Sequence, residues 1–249
     1  MSEQKPLLLY TAPTPNGHKV SIMLEELKAV YGNVVDYDVE KIDISTNRQK
    51  EPWFIALNPN GRIPVLVDRK HEPEPFNVFE TAAILLYLVR KFDTKGIFSF
   101  PVGSDDESVM LQWIFFAVSH SHHFRNYAPE DIPYGKKRAC FHCLDTTHTN
   151  TFLGYIDETA RLYNVLNIRL QDREYLAGPG KGKLSVADIN VLPWVRFHAR
   201  AGIETLDAFP NTKVSITELR LAAILTPYTQ AWVERLSQRP GVQAGVQVP

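Results

Sequence analysis

From residue 7 to residue 92 short apolar runs alternate with amphipathic stretches, and beyond residue 105 the short runs stop. That change of period constrains the fold more than any other feature. LLLYTA (7 to 12), VVDYDVEKID (34 to 43), PVLVD (64 to 68) and FNVF (76 to 79) have strand length and strand composition, whereas 17 to 31 and 80 to 92 repeat apolar residues three and four apart. The order predicts βαβ followed by ββα, a small mixed sheet of α+β type. A linker, FSFPVGSDDES, comes next, and after it VMLQWIFFAV, YIDETARLYNVLNIRL, SVADINVLPWVRFHARAG and QAWVERLSQ all keep the helical period. The expected organisation is an α+β domain over 1–94 and an all-α domain over 105–249. Neither contains a repeat or a low-complexity tract.

Charge and composition narrow the partners. The net charge is −1 with no long basic block, which leaves no electrostatic footprint for nucleic acid or for an anionic membrane. The most apolar stretch, AAILLYLV at 82 to 89, is too short to span a bilayer, and MSEQKPLLLY lacks the apolar run of a secretory leader. A cytoplasmic protein is expected. The two cysteines, Cys140 and Cys143, are too few for a secreted disulfide framework.

Three features of the first domain stand out. In NPNGRIPVLVD, Pro64 directly precedes an apolar strand, where a cis Ile63-Pro64 bond would fit. In FETAAILLYL, Glu80 and Thr81 open a helix whose free N–H groups and positive dipole end suit a carboxylate. In YTAPTPNGHKVSIMLEEL, a Pro-rich turn leads into an amphipathic helix opening at Asn16 or Gly17. Each has a plain structural reading: a strand breaker at Pro64, a cap at Thr81, and an N-cap at Asn16.

In order and spacing these motifs resemble the cytosolic glutathione transferases, and the resemblance runs from about residue 7 to about residue 245. It implies a thioredoxin-like first domain followed by an all-helical one, the glutathione transferase fold. SVADINVLPW (185 to 194) is similar to that family's helix-start motif, with Ser185 capping and Asp188 three residues on. APTPNGHK, LNPNGRIP and HHF-x-x-x-AP-x-x-IPY resemble the nu-class group of glutathione-dependent disulfide reductases, related to the yeast nitrogen-regulator prion protein. The prion protein's long Asn/Gln-rich tail is absent.

Thioredoxin-like redox proteins carry a cysteine at the first helix start, where this chain has Thr14, Pro15 and Asn16. The resemblance resolves that oddity by placing the nucleophile on bound glutathione, a co-substrate. It implies that the Asn16 amide and the Thr14 hydroxyl or backbone stabilise the thiolate; Tyr10 is the competitor, since other classes use a tyrosine ending the first strand. For binding it implies Glu80 on the γ-glutamyl ammonium, Thr81 and the helix amides on its carboxylate, and Ile63 beside Pro64 pairing the cysteinyl backbone. Gln49 would lie near the glycyl end, Arg62 is a further cation candidate, and Arg161 would reach the partner subunit's site in a homodimer. The second substrate would be a small disulfide or an electrophile, with detoxification as the family role. A non-catalytic, ligand-binding regulator of the same fold is the alternative.

Trp113, Phe116, His120, His123 and Phe124 are candidates for the co-substrate pocket, although an aromatic stripe at helical spacing also reads as core. ACFHCLDTTHTN (139 to 150) offers a C-x-x-C with His142 and His148, and His122 and His123 upstream. A zinc ribbon needs a second ligand pair at suitable spacing and none is evident, so no metal is expected. Finally, 139–154 and 214–230 read as translated introns. Deleting them joins IPYGKKR to YIDETARLYNVLN and AFPNTK to AWVERLSQRPGV, each restoring one amphipathic helix. The codons for Lys213-Val214-Ser215 and Gln230, and for Arg138-Ala139-Cys140 and Leu153-Gly154, can hold splice donors and acceptors.

Overall fold

β1 (Leu7–Thr11) occupies an inner position of a sheet whose order is β2-β1-β3-β4 in the computed structural model, which describes residues 4–120, 161–197 and 227–249. β2 (Tyr37–Lys41) pairs with it in parallel, Leu7 opposite Tyr37. A parallel pair needs a crossover, and α1 (Pro15–Tyr31) supplies it. β3 (Val65–Asp68) lies antiparallel on the other side of β1, with Tyr10 opposite Val65, and β4 (Phe76–Phe79) completes the hairpin at the edge. α3 (Thr81–Phe92) follows directly. The expected βαβ-ββα order is therefore observed. It gains one element, α2 (Pro52–Leu57), six residues long and too short to show a helical period.

Along β1 burial alternates, with Leu7, Leu9 and Thr11 closed off and Leu8 and Tyr10 half-buried. Leu7 and Leu9 join Val20, Met23 and Leu27 of α1 and Ile84 and Leu88 of α3 in the main core. Tyr10 belongs to a separate small cluster with Ile42, Phe54 and Val65.

The second part is helical among the described residues: α4 (Asp105–His120), α5 over 161–170, α6 (Val186–Arg196), α7 (Pro227–Ser237) and α8 (Pro240–Gly245). α4 begins inside the stretch expected as linker, because Asp105, Asp106 and Glu107 suit the positive end of a helix and the Ser104 hydroxyl accepts from the Glu107 N–H at 3.1 Å. The chain before it is pinned rather than loose. The Asp93 carboxylate accepts from the Ile97 N–H (2.8 Å), the Phe98 N–H (2.8 Å), the Ser99 hydroxyl (2.7 Å) and the Tyr31 hydroxyl (2.6 Å), and Phe98 and Phe100 are buried. Ile114, Leu162, Ile189 and Trp232 share one continuous core with the sheet side.

α6 and α8 both pack on α1, and each is held by its own polar contacts. The predicted box at Ser185 is present: the Ser185 N–H and hydroxyl donate to the fully buried Asp188 carboxylate at 3.0 and 3.1 Å, and the Leu176 N–H and Trp232 Nε1–H donate to its other oxygen at 2.9 and 3.0 Å. Burial pushes the Asp188 carboxyl up even so, against the pull of the Trp232 and Leu176 donors. At the C-terminal end, α8 lies on α1. Arg239 grips the buried Glu26 with two nitrogens at 2.8 and 2.7 Å, the Ser21 hydroxyl donates to the Gly245 carbonyl at 2.6 Å, and a Cβ on Gly245 would strike Ile22.

Candidate functional site

α1 starts two residues earlier than its amphipathic period suggests, and the shift redistributes the site's donors. Thr14 is the N-cap: its backbone is extended and its Oγ1 accepts from the Gly17 N–H at 3.1 Å. Pro15 takes the first helical position, where its missing N–H removes nothing the helix would use. Asn16 is therefore inside the first turn and is not a cap. Its side chain is half-buried and makes no hydrogen bond to a described residue. The Thr14 hydroxyl oxygen is committed to the cap, but its O–H still has a proton to donate. Gly17 lies against the end of β1, since a Cβ there would meet the Ala12 carbonyl and the Thr11 hydroxyl. That close approach sets the helix start directly over the strand end.

The segment before β3 is shaped by Asn58, a residue the sequence reading passed over because asparagine in a turn is commonplace. Asn58 is buried, its amide donates to the Arg62 carbonyl at 2.8 Å, and its Oδ1 accepts from the Asn60 N–H at 3.0 Å. This holds Arg62, Ile63 and Pro64 in place, and the Ile63-Pro64 peptide is cis as expected. Arg62 is exposed and Ile63 half-buried. Across the same loop, Gln49 lies with its backbone against Gly61, and its Oε1 is buried without a hydrogen-bond partner. A buried amide oxygen left unpaired is unfavourable by about 1 to 3 kcal/mol, so a ligand amide or a reoriented Gln49 amide has something to gain there.

At the start of α3, Glu80 is the N-cap residue and Thr81 the first helical one. Glu80 makes no side-chain cap bond, so the first-turn N–H groups of α3 lack a side-chain acceptor. Its backbone adopts φ 69 and ψ 122, a conformation that L side chains rarely take and that is unfavourable by about 1 to 3 kcal/mol. Strain of this kind persists where the surroundings over-determine it. Here it turns the Glu80 side chain away from a capping position.

Two buried basic side chains follow Asn16, and no sequence signal set them apart from an ordinary polar helix face. His18 is buried against Phe197, ring centroids 5.7 Å apart, with Nε2 unpartnered. Burial lowers its pKa, and Arg196 adds to the effect. Lys19 is 1% exposed, and burial brings its ammonium down to about 7 against the opposing pull of Glu80.

Tyr10 stands apart from these groups. Its ring packs against Trp53 at 5.7 Å and Phe54 at 6.1 Å, and burial, then Glu40, raises its pKa. Trp113 and Phe116 stack edge to face at 5.3 Å and pack on the main core, which favours the core reading of that stripe. Arg161 is exposed at the first described residue of α5. His123, Phe124 and the whole C-x-x-C region lie outside the described residues, and no His/Cys/Asp/Glu cluster among the described residues could hold a metal. Of the segments read as introns only residues 227–230 are described, and they form the first turn of α7. No described helix is long and apolar enough to cross a membrane.

A cis proline before β3, flanked by two open helix starts on a four-stranded mixed sheet and followed by helices, defines a thioredoxin-like domain joined to a helical one. Residues 5–90 match the glutathione S-transferase N-terminal domain and residues 109–214 the glutathione S-transferase C-terminal domain, and the chain belongs to that family. It is 34% identical over 243 residues to the disulfide-bond oxidoreductase YfcG of Escherichia coli, covering 93% of this chain and 90% of that protein. A glutathione transferase homolog from Lodderomyces elongisporus, solved with two glutathione molecules per subunit, superposes with a TM-score of 0.73 at 31% identity, covering 98% of this chain and 99% of that one. A Pseudomonas putida glutathione transferase with one glutathione disulfide bound per subunit gives 0.72 at 28% identity, covering 100% and 94%.

Proposed function

We propose that the protein is a glutathione-dependent disulfide-bond reductase of the transferase family, using the thiolate of bound glutathione as its nucleophile. One observation carries this reading: the helix start that in thioredoxin-like proteins holds a cysteine offers only donors, Thr14 and Asn16, and the chain's two cysteines lie far along the sequence at 140 and 143. Free thiols have a pKa of about 8.5, and each unit of lowering takes about 1.4 kcal/mol of selective thiolate stabilisation. The Asn16 amide, the Thr14 hydroxyl and the positive end of α1 supply it. The γ-glutamyl ammonium pairs with Glu80, its carboxylate with Thr81 and the first-turn amides of α3, and the cysteinyl backbone with Ile63 beside Pro64. Gln49 and Arg62 attend the glycyl end, and Arg161 reaches the partner's site.

The reaction consumes two glutathiones. The first thiolate attacks one sulfur of a small disulfide, forming a mixed disulfide and expelling the other sulfur as a thiolate that takes a proton from solvent. A second glutathione thiolate attacks the glutathionyl sulfur, giving glutathione disulfide and the second product thiol. No enzyme cysteine and no metal takes part. The two glutathiones of the Lodderomyces homolog and the disulfide in the Pseudomonas enzyme support room for both units. The nu-class assignment, a cytoplasmic location and a homodimer belong to the same reading, the last supported by exposed apolar side chains Phe76 and Phe79 on β4 and Phe115 on α4. Hydroxyethyl disulfide and chlorodinitrobenzene separate the chemistries. Turnover of the first well above the second is expected; turnover of the electrophile alone overturns disulfide reduction, and saturable glutathione binding without turnover of either establishes a ligand carrier.

A further inference from the structure

Lys19 lies on α1 three residues after Asn16, so the two share a helix face. It is among the largest fully buried side chains in the protein, and it forms no hydrogen bond or ion pair with a described residue. A buried ammonium with no fixed partner is unfavourable, and a neutral side chain of the same length would fill the space without that penalty. α3, α6 and α8 pack against α1, carrying Glu80, Asp188, Arg196 and Arg239, with His18 and Glu26 on α1 itself. Asp188 is consumed by the box at Ser185, and Arg239 and Glu26 by one another. His18 is held towards its neutral form by burial and then by Arg196. Among the described residues Glu80 alone acts on the Lys19 charge.

Resting on the glutathione reading of this site, we propose that Lys19 is a buried positioning charge for the bound thiolate, acting through its field from beneath the Asn16 turn without touching the sulfur. The alternation of charges explains why it is needed. Glu80 is the anion that acts on Lys19 in the free protein, and an uncompensated anion in the site would raise the thiol's pKa. When glutathione binds, its α-ammonium neutralises Glu80, and the Lys19 ammonium is left without the charge that opposed it, on the helix face it shares with Asn16. Without ligand the amine titrates at about 7. Formation of the thiolate raises that value, so the proton lost by sulfur to solvent is matched by one that Lys19 takes from solvent. The thiol and the amine then titrate as a coupled pair.

The test compares wild type with Lys19→Met, reading thiolate absorbance of bound glutathione against pH. The variant should bind S-methylglutathione as the wild type does, while its bound thiol titrates about one unit higher, the size expected for loss of one nearby opposite charge. Turnover at pH 7 should fall roughly tenfold and recover by about pH 9. The bound-thiol titration is the readout that a merely structural lysine would not move, and the pH dependence of unfolding separately checks that the ammonium is buried. Burial holds the folded-state pKa of Lys19 well below the ordinary lysine value of 10.5, so the wild type gains stability as pH rises from about 7 towards 10.5. Lys19→Met should lose that rise and melt higher than wild type near pH 7.

A second measurement needs no variant. Calorimetry of glutathione binding to wild type at pH 7.5, in buffers of different ionisation enthalpy, should show net proton release well below the thiolate fraction read by absorbance. Proton release equal to that fraction, or a bound-thiol titration unmoved in Lys19→Met, overturns the role of Lys19 while leaving the glutathione site intact. A wild type that binds glutathione with an unshifted thiol overturns the reading of the site itself.

Discussion

Replacing Asn16 by alanine isolates the thiolate donor more cleanly than any other change at the helix start. Thr14 also caps α1 through the Gly17 N–H, so Thr14→Ala would lose about 1 kcal/mol of helix stability along with any catalytic bond. Asn16 has no such second duty: it sits half-buried at the second helical position without a hydrogen bond to a described residue. Its removal should change folding stability by no more than about 0.5 kcal/mol. A hydrogen bond to a charged group contributes about 1.5 to 3 kcal/mol net. Divided by about 1.4 kcal/mol per unit, that is roughly one to two units on the thiol pKa, or about a ten- to hundredfold loss of turnover at neutral pH. The glutathione KM should barely move, because the bond strengthens only as charge builds on sulfur. Steady-state kinetics on hydroxyethyl disulfide from pH 6 to 10, with S-methylglutathione binding as control, reads all three quantities. Tyr10→Phe should do little, since the phenol packs on Trp53 and Phe54 and burial raises its pKa. If Tyr10→Phe abolishes turnover and Asn16→Ala does not, the thiolate is held by the tyrosine and the assignment is wrong.

Glu80→Ala and Thr81→Ala should each weaken glutathione binding by about 1 to 3 kcal/mol while saturated turnover stays closer to normal, measured by titration calorimetry and kcat; unchanged binding in both variants shows the ligand is anchored elsewhere. Asp188→Ala strands the buried donors of Leu176, Ser185 and Trp232, partly offset by relief of a buried carboxylate, and should destabilise the fold by about 3 kcal/mol in denaturant titration. A loss under about 1 kcal/mol would mean the box is ornamental.

The βαβ-ββα element order, the cis Ile63-Pro64 bond and the Ser185–Asp188 box were legible because each is written locally, as strand and helix periods, a proline at a strand edge, or a hydroxyl and an acid three apart. The start of α1 was not, since Pro15 breaks the apolar period while still belonging to the helix. Short α2 and α8 fall below the length at which periodicity speaks, and α8 is held by distant partners, Glu26 and Ser21. For the site, Thr14, Asn16, Glu80 and Thr81 are candidates through the family resemblance and not through periodicity. The positive φ of Glu80 and the burial of Lys19 could not be read from the sequence, because both arise where α1 and α3 meet, at residues far apart in sequence.

The segments 139–154 and 214–230 lead to a prediction about the gene. The family match ends at residue 214, the first residue of the second segment, yet residues after that segment are tied into the fold: Trp232 donates to Asp188 and Arg239 pairs with Glu26. The intervening segment therefore separates two stretches that both belong to the fold. Its last residues, 227–230, prolong α7, but Thr229 buries a hydroxyl that finds no partner, which is unfavourable by about 1 to 3 kcal/mol and gains nothing visible. Joining Lys213 to Ala231 instead would continue the helical period from AFPNTK into AWVERLSQ and dispense with Thr229. Real surface insertions are tolerated thermodynamically, so length alone decides nothing. Both deletions, however, repair an amphipathic period at codons that can encode splice sites. The mature transcript should lack both segments, shortening the 249-residue chain by 33 residues and removing Cys140 and Cys143. The shortened protein, produced recombinantly, should melt above the full chain and retain disulfide reduction. A mature message that keeps both segments, with a peptide spanning Arg138 to Cys143 recovered from the native protein, would refute the idea and return the C-x-x-C motif to consideration.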